Sequence, residues 1–167
     1  LAAKGMFKEA AMVSENTFAA DGTLQAPLPY LKCLLRDGQQ EKAASHALLY
    51  AGREGALSSA DQAALEELAA ALLVTFPPRL KRSPALPADQ ARWLELAETC
   101  REALAAWSSG AVVEEVERHL SRISLRSPFR PLRLLLKSLL TDADTPDRVR
   151  RQLESIRPGS PFFPFRE

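Results

Sequence analysis

The chain has 167 residues, a net charge of +1, 46% hydrophobic residues and 26% charged residues. A chain of this length can bury a core without help from disulfides or metals. It has no run of about 18 apolar residues, so we expect no membrane-spanning helix and no membrane partner. Ala, Leu, Glu and Arg dominate and only seven residues are glycine, which predicts an all-α protein.

The charge is unevenly distributed along the chain. Residues 1–75 contain six Lys and Arg against nine Asp and Glu, whereas residues 126–167 contain nine against five. The C-terminal part is therefore basic. Cys33 and Cys100 each lie in a helical pattern without a second Cys or a His at metal-binding spacing. They favour free buried thiols in a reducing compartment, the cytoplasm or nucleus, with a disulfide between them as the alternative.

Helical patterns occupy the first 75 residues, which we interpret as a first unit of helical hairpins. One helix ends at Gly5, and others are predicted over 7–19, 28–36, 40–51 and 59–75. Ser59 and Gln62 form a capping-box pattern at the start of the last of these. Residues 76–87 then include four prolines, which predicts a linker or a long loop between repeats.

Residues 88–156 form a second predicted helical unit. Its helices cover 88–107, 111–124, 128–140 and 146–156, and Pro128 and Pro146 are expected in the first turns of the last two. Residues 157–167 form a Pro- and Phe-containing tail that is predicted to be extended. The total is about nine helices. Because the chain begins within a helical pattern and without Met, we expect a fragment of a larger protein.

Two short segments of the first unit echo each other. Gly5, Glu9 and Ala10 recur 33 residues later as Gly38, Glu41 and Ala43, with the acidic residue displaced by one position. A repeat at this period is typical of an α-solenoid, a stack of antiparallel helical hairpins. Over residues 1–55 the pattern resembles the tetratricopeptide-repeat superfamily, in which a small Ala lets paired helices pack closely. Phe7 has the aromatic position of that pattern in the first copy, and Gln40 replaces it in the second.

The resemblance implies a surface that binds other molecules. A pentatricopeptide-like interpretation, which would imply RNA binding, shares the same helix–turn–helix plan, but its base-reading code needs more repeats than the two found here. The alternative to both is an irregular helical domain with two similar turns.

Catalytic motifs are not found in the sequence. His46 and His119 stand alone on predicted helices, and no zinc-ligand cluster or glycine-rich phosphate loop occurs. The adjacent pairs Glu66–Glu67 and Glu114–Glu115 point to different helix faces and are interpreted as solvated charge. We therefore expect no enzyme, no metal and no cofactor.

A basic row is the first candidate binding feature. Arg126, Arg130, Arg133 and Lys137 recur at helical spacing, which predicts a row along one side of the helix, opposite Phe129 and the leucines. The row could bind nucleic acid or an acidic protein segment, or it could be the ordinary solvated face of the helix. No aromatic residue interleaves it as a stacking platform would require.

The C-terminal part contains two apolar candidates. Leu134–Leu136 widen the apolar surface of the helix over 128–140, which predicts burial on two sides or contact with a second copy of the chain. In the tail, Phe162, Phe163 and Phe165 are expected either to pack into a groove of this chain or to insert into a partner.

The leading hypothesis is a non-catalytic scaffold or adaptor that binds a peptide or helix of another protein within a larger intracellular assembly. The alternative is an RNA- or other nucleic-acid-binding domain that uses the row from Arg126 to Lys137. A weaker third is an accessory domain of an enzyme. Self-association through residues 128–140 or through the tail is a further option.

Overall fold

The computed structural model describes residues 1–21, 27–50, 58–77, 87–140, 146–158 and 160–162. Within these residues the chain is helical and has no strand, as predicted. A 3₁₀ turn over Ala2–Lys4 precedes eight α-helices: α1 (Phe7–Asp21), α2 (Pro27–Arg36), α3 (Gln40–Tyr50), α4 (Ser59–Thr75), α5 (Ala88–Ser108), α6 (Val113–Ser121), α7 (Arg130–Leu140) and α8 (Pro146–Glu154).

Each helix packs against the next one in the chain. Contacts also join α2 to α4, α3 to α5 and α5 to α7. Neighbours in sequence are therefore neighbours in space, and alternate helices stack on one another, which is the packing order of helical hairpins. The helices α4 and α5 pack together across the proline-rich segment, of which residues 78–86 lie outside the described residues.

Three glycines end helical turns in the same way. Gly5, Gly38 and Gly110 each have φ of 75°, a left-handed conformation that costs a residue with a Cβ more than it costs glycine. At Gly38 the amide bonds to the carbonyl of Leu35 at 3.2 Å, and the next amide bonds to that of Leu34 at 2.8 Å. This is a Schellman turn, and the same pair of bonds occurs at the other two glycines. The echo between Gly5 and Gly38 is thus a repeated turn, and Gly110 adds a third copy that the sequence analysis did not identify.

One hydrophobic core runs through most of the stack. It includes buried residues from α1 to α7 and so lies on both sides of the proline-rich segment. In α3 three of the buried residues are alanines, Ala43, Ala44 and Ala47, each fully covered, and such small side chains let neighbouring helices approach closely. Cys33 and Cys100 are free and buried, as predicted, and burial raises the pKa of the Cys100 thiol to about 12.

The predicted cap of α4 was wrong by one residue. Ser58, not Ser59, is the N-cap: its hydroxyl accepts a hydrogen bond from the Asp61 amide at 3.2 Å and donates to the Asp61 carboxylate at 2.7 Å. Asp61, rather than Gln62, is thus the residue that interacts with the N-cap serine, and Gln62 instead donates to Glu66 at 3.0 Å. The two overlapping Ser patterns could not be separated by sequence alone.

The boundaries between α6 and α7 also differ from the prediction. α6 ends at Ser121 and α7 begins at Arg130, so Arg126 and Phe129 lie in the connection rather than on a helix. Ser127 does not cap α7; its hydroxyl accepts a hydrogen bond from the Phe129 amide at 3.2 Å and holds a tight turn. Pro128, which was expected in the first turn of α7, precedes the helix, and Pro131 lies in that turn instead.

The prediction that the leucine-rich helix is buried on two sides holds for α7. Leu136 belongs to the main core, whereas Leu134 belongs to a second cluster with Ile156 and Phe162. Leu139, one of the leucines predicted on the apolar side opposite the basic row, is 59% exposed.

A candidate protein-binding groove

Three adjoining clefts form one groove along the connection between α6 and α7. The first, of about 400 Å³, lies against the start of α5 and shares Arg126, Ser127 and Pro128 with the second, of about 210 Å³. The second shares Leu125 and Arg130 with the third, a cleft of about 670 Å³ beside α8. Six arginines line these clefts: Arg92, Arg122, Arg126, Arg130, Arg151 and Arg157. We call the whole the arginine groove.

The connection between α6 and α7 owes its shape to two anchors and two serines. Ile123 and Phe129 are buried in the core, 0% and 1% exposed, and fix the two ends of the segment. Between them the Ser124 hydroxyl accepts from the Arg126 amide at 3.2 Å, and Ser127 makes its bond to Phe129. These local bonds satisfy backbone groups that a non-helical segment leaves open. Arg126 is consequently held at the surface by a fixed turn.

The arginines of the groove differ in the hydrogen bonds and ion pairs that they make within the chain. Arg126 and Arg92 are exposed, and no described residue accepts a hydrogen bond from either guanidinium. Arg122 is 3.9 Å from the Glu102 carboxylate with its side chain 58% exposed, a weak interaction at such exposure. Arg130 makes a long contact of 3.5 Å to the Ser155 carbonyl. Much of this positive charge is therefore available to a ligand.

Three carboxylates also line the groove. Glu66 and Asp89 border the first cleft, and Glu67 borders the second. Glu67 is only 8% exposed and pairs with Arg157 at 2.5 Å. The expectation that Glu66–Glu67 is solvated charge is therefore wrong for Glu67, because the tail after α8 covers it. With that pair neutralised, the remaining lining carries an excess of positive charge.

The floor of the first cleft is apolar. Trp93, Leu96 and Pro128 line it, and Trp93 is only 8% exposed because its ring packs against Phe129 with centroids 5.4 Å apart. Leu125, which lines the second and third clefts, is 57% exposed and forms an apolar part of the rim of the groove. The groove can thus contact both charged and apolar parts of a ligand.

The residues proposed from the sequence do not form one row. Arg126 and Arg130 line the groove, but Arg133 donates to the Ile123 carbonyl at the end of the preceding helical turn, and Lys137 lies 3.9 Å from Glu117 of α6. Arg133 and Lys137 thus connect α7 to its neighbour. Phe162 is 9% exposed and packs within its own chain. Phe163 and Phe165 lie outside the described residues.

The residues that α4 and α5 contribute to the groove were not predicted as site residues from the sequence. Glu66, Asp89, Arg92 and Trp93 stand between 33 and 60 residues before Arg126 in the sequence, and no local pattern links them to it. Packing of α4 against α5, and of α5 against α6 and α7, brings them together.

A second polar cluster joins α1, α2 and α3. The Glu15 carboxylate accepts from the Tyr30 hydroxyl at 2.8 Å and pairs with Lys42 at 2.6 Å. The hydrogen bond from Lys42, with a further one from Tyr30, lowers the pKa of Glu15. Burial and the bond to Glu15 raise the pKa of Tyr30. The His46 and Tyr30 rings meet edge to face with their centroids 5.2 Å apart. Burial lowers the pKa of the His46 imidazole. This cluster joins three helices.

Comparison with known proteins finds no family model, no curated protein and no solved structure that matches the chain. Among the residues that the structure describes, no group of three or more His, Cys, Asp or Glu side chains is arranged to hold a metal ion. None of the described helices combines the length and apolar character needed to cross a bilayer.

Proposed function

We propose that this chain is a non-catalytic scaffold or adaptor, a stack of tetratricopeptide-like helical hairpins that binds another protein within an intracellular assembly. The observation that carries the proposal is the arginine groove, in which Arg126 lies between two adjoining clefts. Its lining comes from α4, α5, α7, α8 and the connection before α7. A groove built on packed helices is a suitable receptor for a peptide or helix of a partner.

The repeated turns support the scaffold part of the proposal. Gly5, Gly38 and Gly110 end their helical turns with the same pair of backbone bonds, as expected when similar hairpins are stacked. From α1 to α8 each helix packs against the next, and such stacks present extended surfaces to partners.

The nucleic-acid alternative has less support. Two members of the basic row, Arg133 and Lys137, already contact neighbouring elements of the chain. The groove also contains Glu66 and Asp89, which would repel a phosphate backbone. Trp93 is covered by its contact with Phe129 and presents no open face on which a base could stack.

Site-specific photo-crosslinking in cells tests the proposal. A photoreactive phenylalanine analogue at Leu125, on the rim of the groove, should crosslink to one or a few discrete proteins. The same analogue at Lys8, exposed on α1 at the other end of the stack, should not crosslink to them. Crosslinks that disappear after nuclease treatment would support the nucleic-acid alternative, and a Leu125 pattern identical to that of Lys8 would refute the groove as the binding site.

A further inference from the structure

We propose that the occupant of the arginine groove is an extended acidic segment of the partner protein, with an apolar side chain among its carboxylates. This inference rests on the proposed function and specifies the chemistry of the partner. Its basis is the combination, within one groove, of arginines that have no acceptor among the described residues, an apolar floor and an elongated shape.

The positive charge of the groove predicts a negatively charged occupant. Arg126 and Arg92 have no described acceptor for their guanidinium groups, and Arg122 has only the long contact to Glu102. Guanidinium groups bind carboxylates through paired hydrogen bonds of fixed geometry. Because Arg126 borders both the first and the second cleft, it is the residue best placed to hold a carboxylate along the path of a bound chain.

Shape favours a peptide over a small molecule. Small-molecule sites are enclosed and mostly apolar. The three clefts instead adjoin one another from the start of α5 to the end of α8, and most of the side chains that line them are charged or polar. An extended chain rises about 3.3 Å per residue and directs alternate side chains to the same face, so it can follow such a groove and place alternate side chains in the clefts.

The mixed lining explains why the occupant is a peptide rather than RNA. Beside the arginines, Glu66 and Asp89 present acceptors to the first cleft. A peptide can direct its backbone N–H groups or a basic side chain toward these carboxylates while its own carboxylates meet Arg126. Single-stranded RNA has a phosphate at every nucleotide, so it would bring negative charge against them.

The apolar floor of the groove adds a second requirement for the bound segment, an apolar side chain. Leu96 and Pro128 line the first cleft, and the exposed Leu125 lines the second and third. An aliphatic side chain of the segment would remove these surfaces from water, which is favourable by about 25 cal/mol per Å² of apolar area. The expected segment therefore carries Asp or Glu on both sides of a Leu or Ile.

Fluorescence anisotropy with the full chain tests the inference. The probes are a set of labelled peptides in which the number of Asp and Glu residues around a central Leu is varied, a matched Lys set, a phosphoserine set and a single-stranded RNA. We expect at least one acidic peptide to bind, and Arg126→Glu to weaken it by about tenfold or more. Arg118→Glu is the matched control, because Arg118 is exposed on α6 and outside the groove.

Several results would overturn the acidic-segment inference: no binding by any acidic peptide, equal effects of the two charge reversals, or tighter binding of the Lys, phosphoserine or RNA probe. A further measurement separates this inference from the proposed function. If Leu125 crosslinks to a protein and the crosslink survives Arg126→Glu, the groove binds a protein but not through an acidic segment. If Leu125 gives no protein crosslink in the wild-type chain, the proposed function itself fails.

Discussion

The carboxylate of Glu67 in α4 accepts a hydrogen bond of 2.5 Å from the guanidinium of Arg157, which lies just after α8 and 90 residues later in the chain. Glu67 is 8% exposed, so without Arg157 its carboxylate would be a largely buried charge without this ion-pair partner. The pair also borders the second cleft of the arginine groove. It therefore joins α4 to the segment after α8 at the candidate site.

A double-mutant cycle measures the strength of this connection. We expect Glu67→Ala and Arg157→Ala to show a coupling of about 1 kcal/mol or more in urea unfolding, since a hydrogen bond between charged groups with one partner buried is poorly screened. The matched control is the exposed pair of Arg150 and Glu154 within α8, whose coupling should be about 0.5 kcal/mol or less. Equal couplings would contradict the view that burial of Glu67 strengthens the pair.

The cluster around Glu15 makes stability depend on pH. The pKa of Glu15 in the folded chain is lowered by the hydrogen bonds from Lys42 and Tyr30. Its contribution is therefore present above the unfolded value of about 4.3 and is lost as the pH falls from there through the folded pKa. In chemical denaturation at a series of pH values, Glu15→Gln should flatten the loss of stability below about pH 4.3. If the wild type and Glu15→Gln lose stability in parallel over that interval, the assignment is wrong.

The Schellman turn at Gly38 gives a prediction about backbone conformation. Nothing lies within 4 Å of the place that a Cβ would occupy, but φ is 75°, so the cost of substitution arises from the backbone alone. Gly38→Ala should lower the free energy of unfolding by about 1 kcal/mol. Gly38→Asn should cost less, because Asn tolerates the left-handed region. Thermal unfolding with equal losses for the two variants would argue against this explanation.

Phe162 tests whether the tail packs within its own chain. It is 9% exposed in the cluster with Leu134 and Ile156. Phe162→Ala should therefore lower the free energy of unfolding of the isolated chain by about 2–4 kcal/mol. Leu139→Ala, at a residue 59% exposed on α7, should change it by about 0.5 kcal/mol or less. A neutral Phe162→Ala would instead favour the alternative that this side chain inserts into a partner.

Helix content was predictable because its signals are local. The patterns of Leu and Ala, and the glycines and prolines between them, located eight α-helices with boundaries that mostly agree within one or two residues. The N-cap of α4 was assigned to Ser59 instead of Ser58 because either serine satisfies the same short capping pattern. The start of α7 was misplaced because Ser127–Pro128 suits a tight turn as well as a helix start.

The candidate site was only partly predictable. Arg126 and Arg130 were selected by their spacing on an assumed helix, yet Arg126 lies in the connection and enters the groove because Ile123 and Phe129 anchor the segment around it. Whether a charged side chain faces solvent or an internal acceptor depends on neighbours that are distant in sequence. Arg133 and Lys137 show this, since their partners lie on the preceding helix and turn.

The sequence by itself determined the all-helical character of the chain, the repeated glycine turn at Gly5 and Gly38, and the basic character of the C-terminal part. Each follows from properties of neighbouring residues: helix propensity, the freedom of glycine at positive φ, and charge. Only the tertiary structure decided that Glu67 is buried under Arg157 and that Arg92 and Trp93 meet Arg126 in one groove. The physical reason is that burial and electrostatic pairing depend on which helices stack together, and local pattern does not encode those long-range contacts.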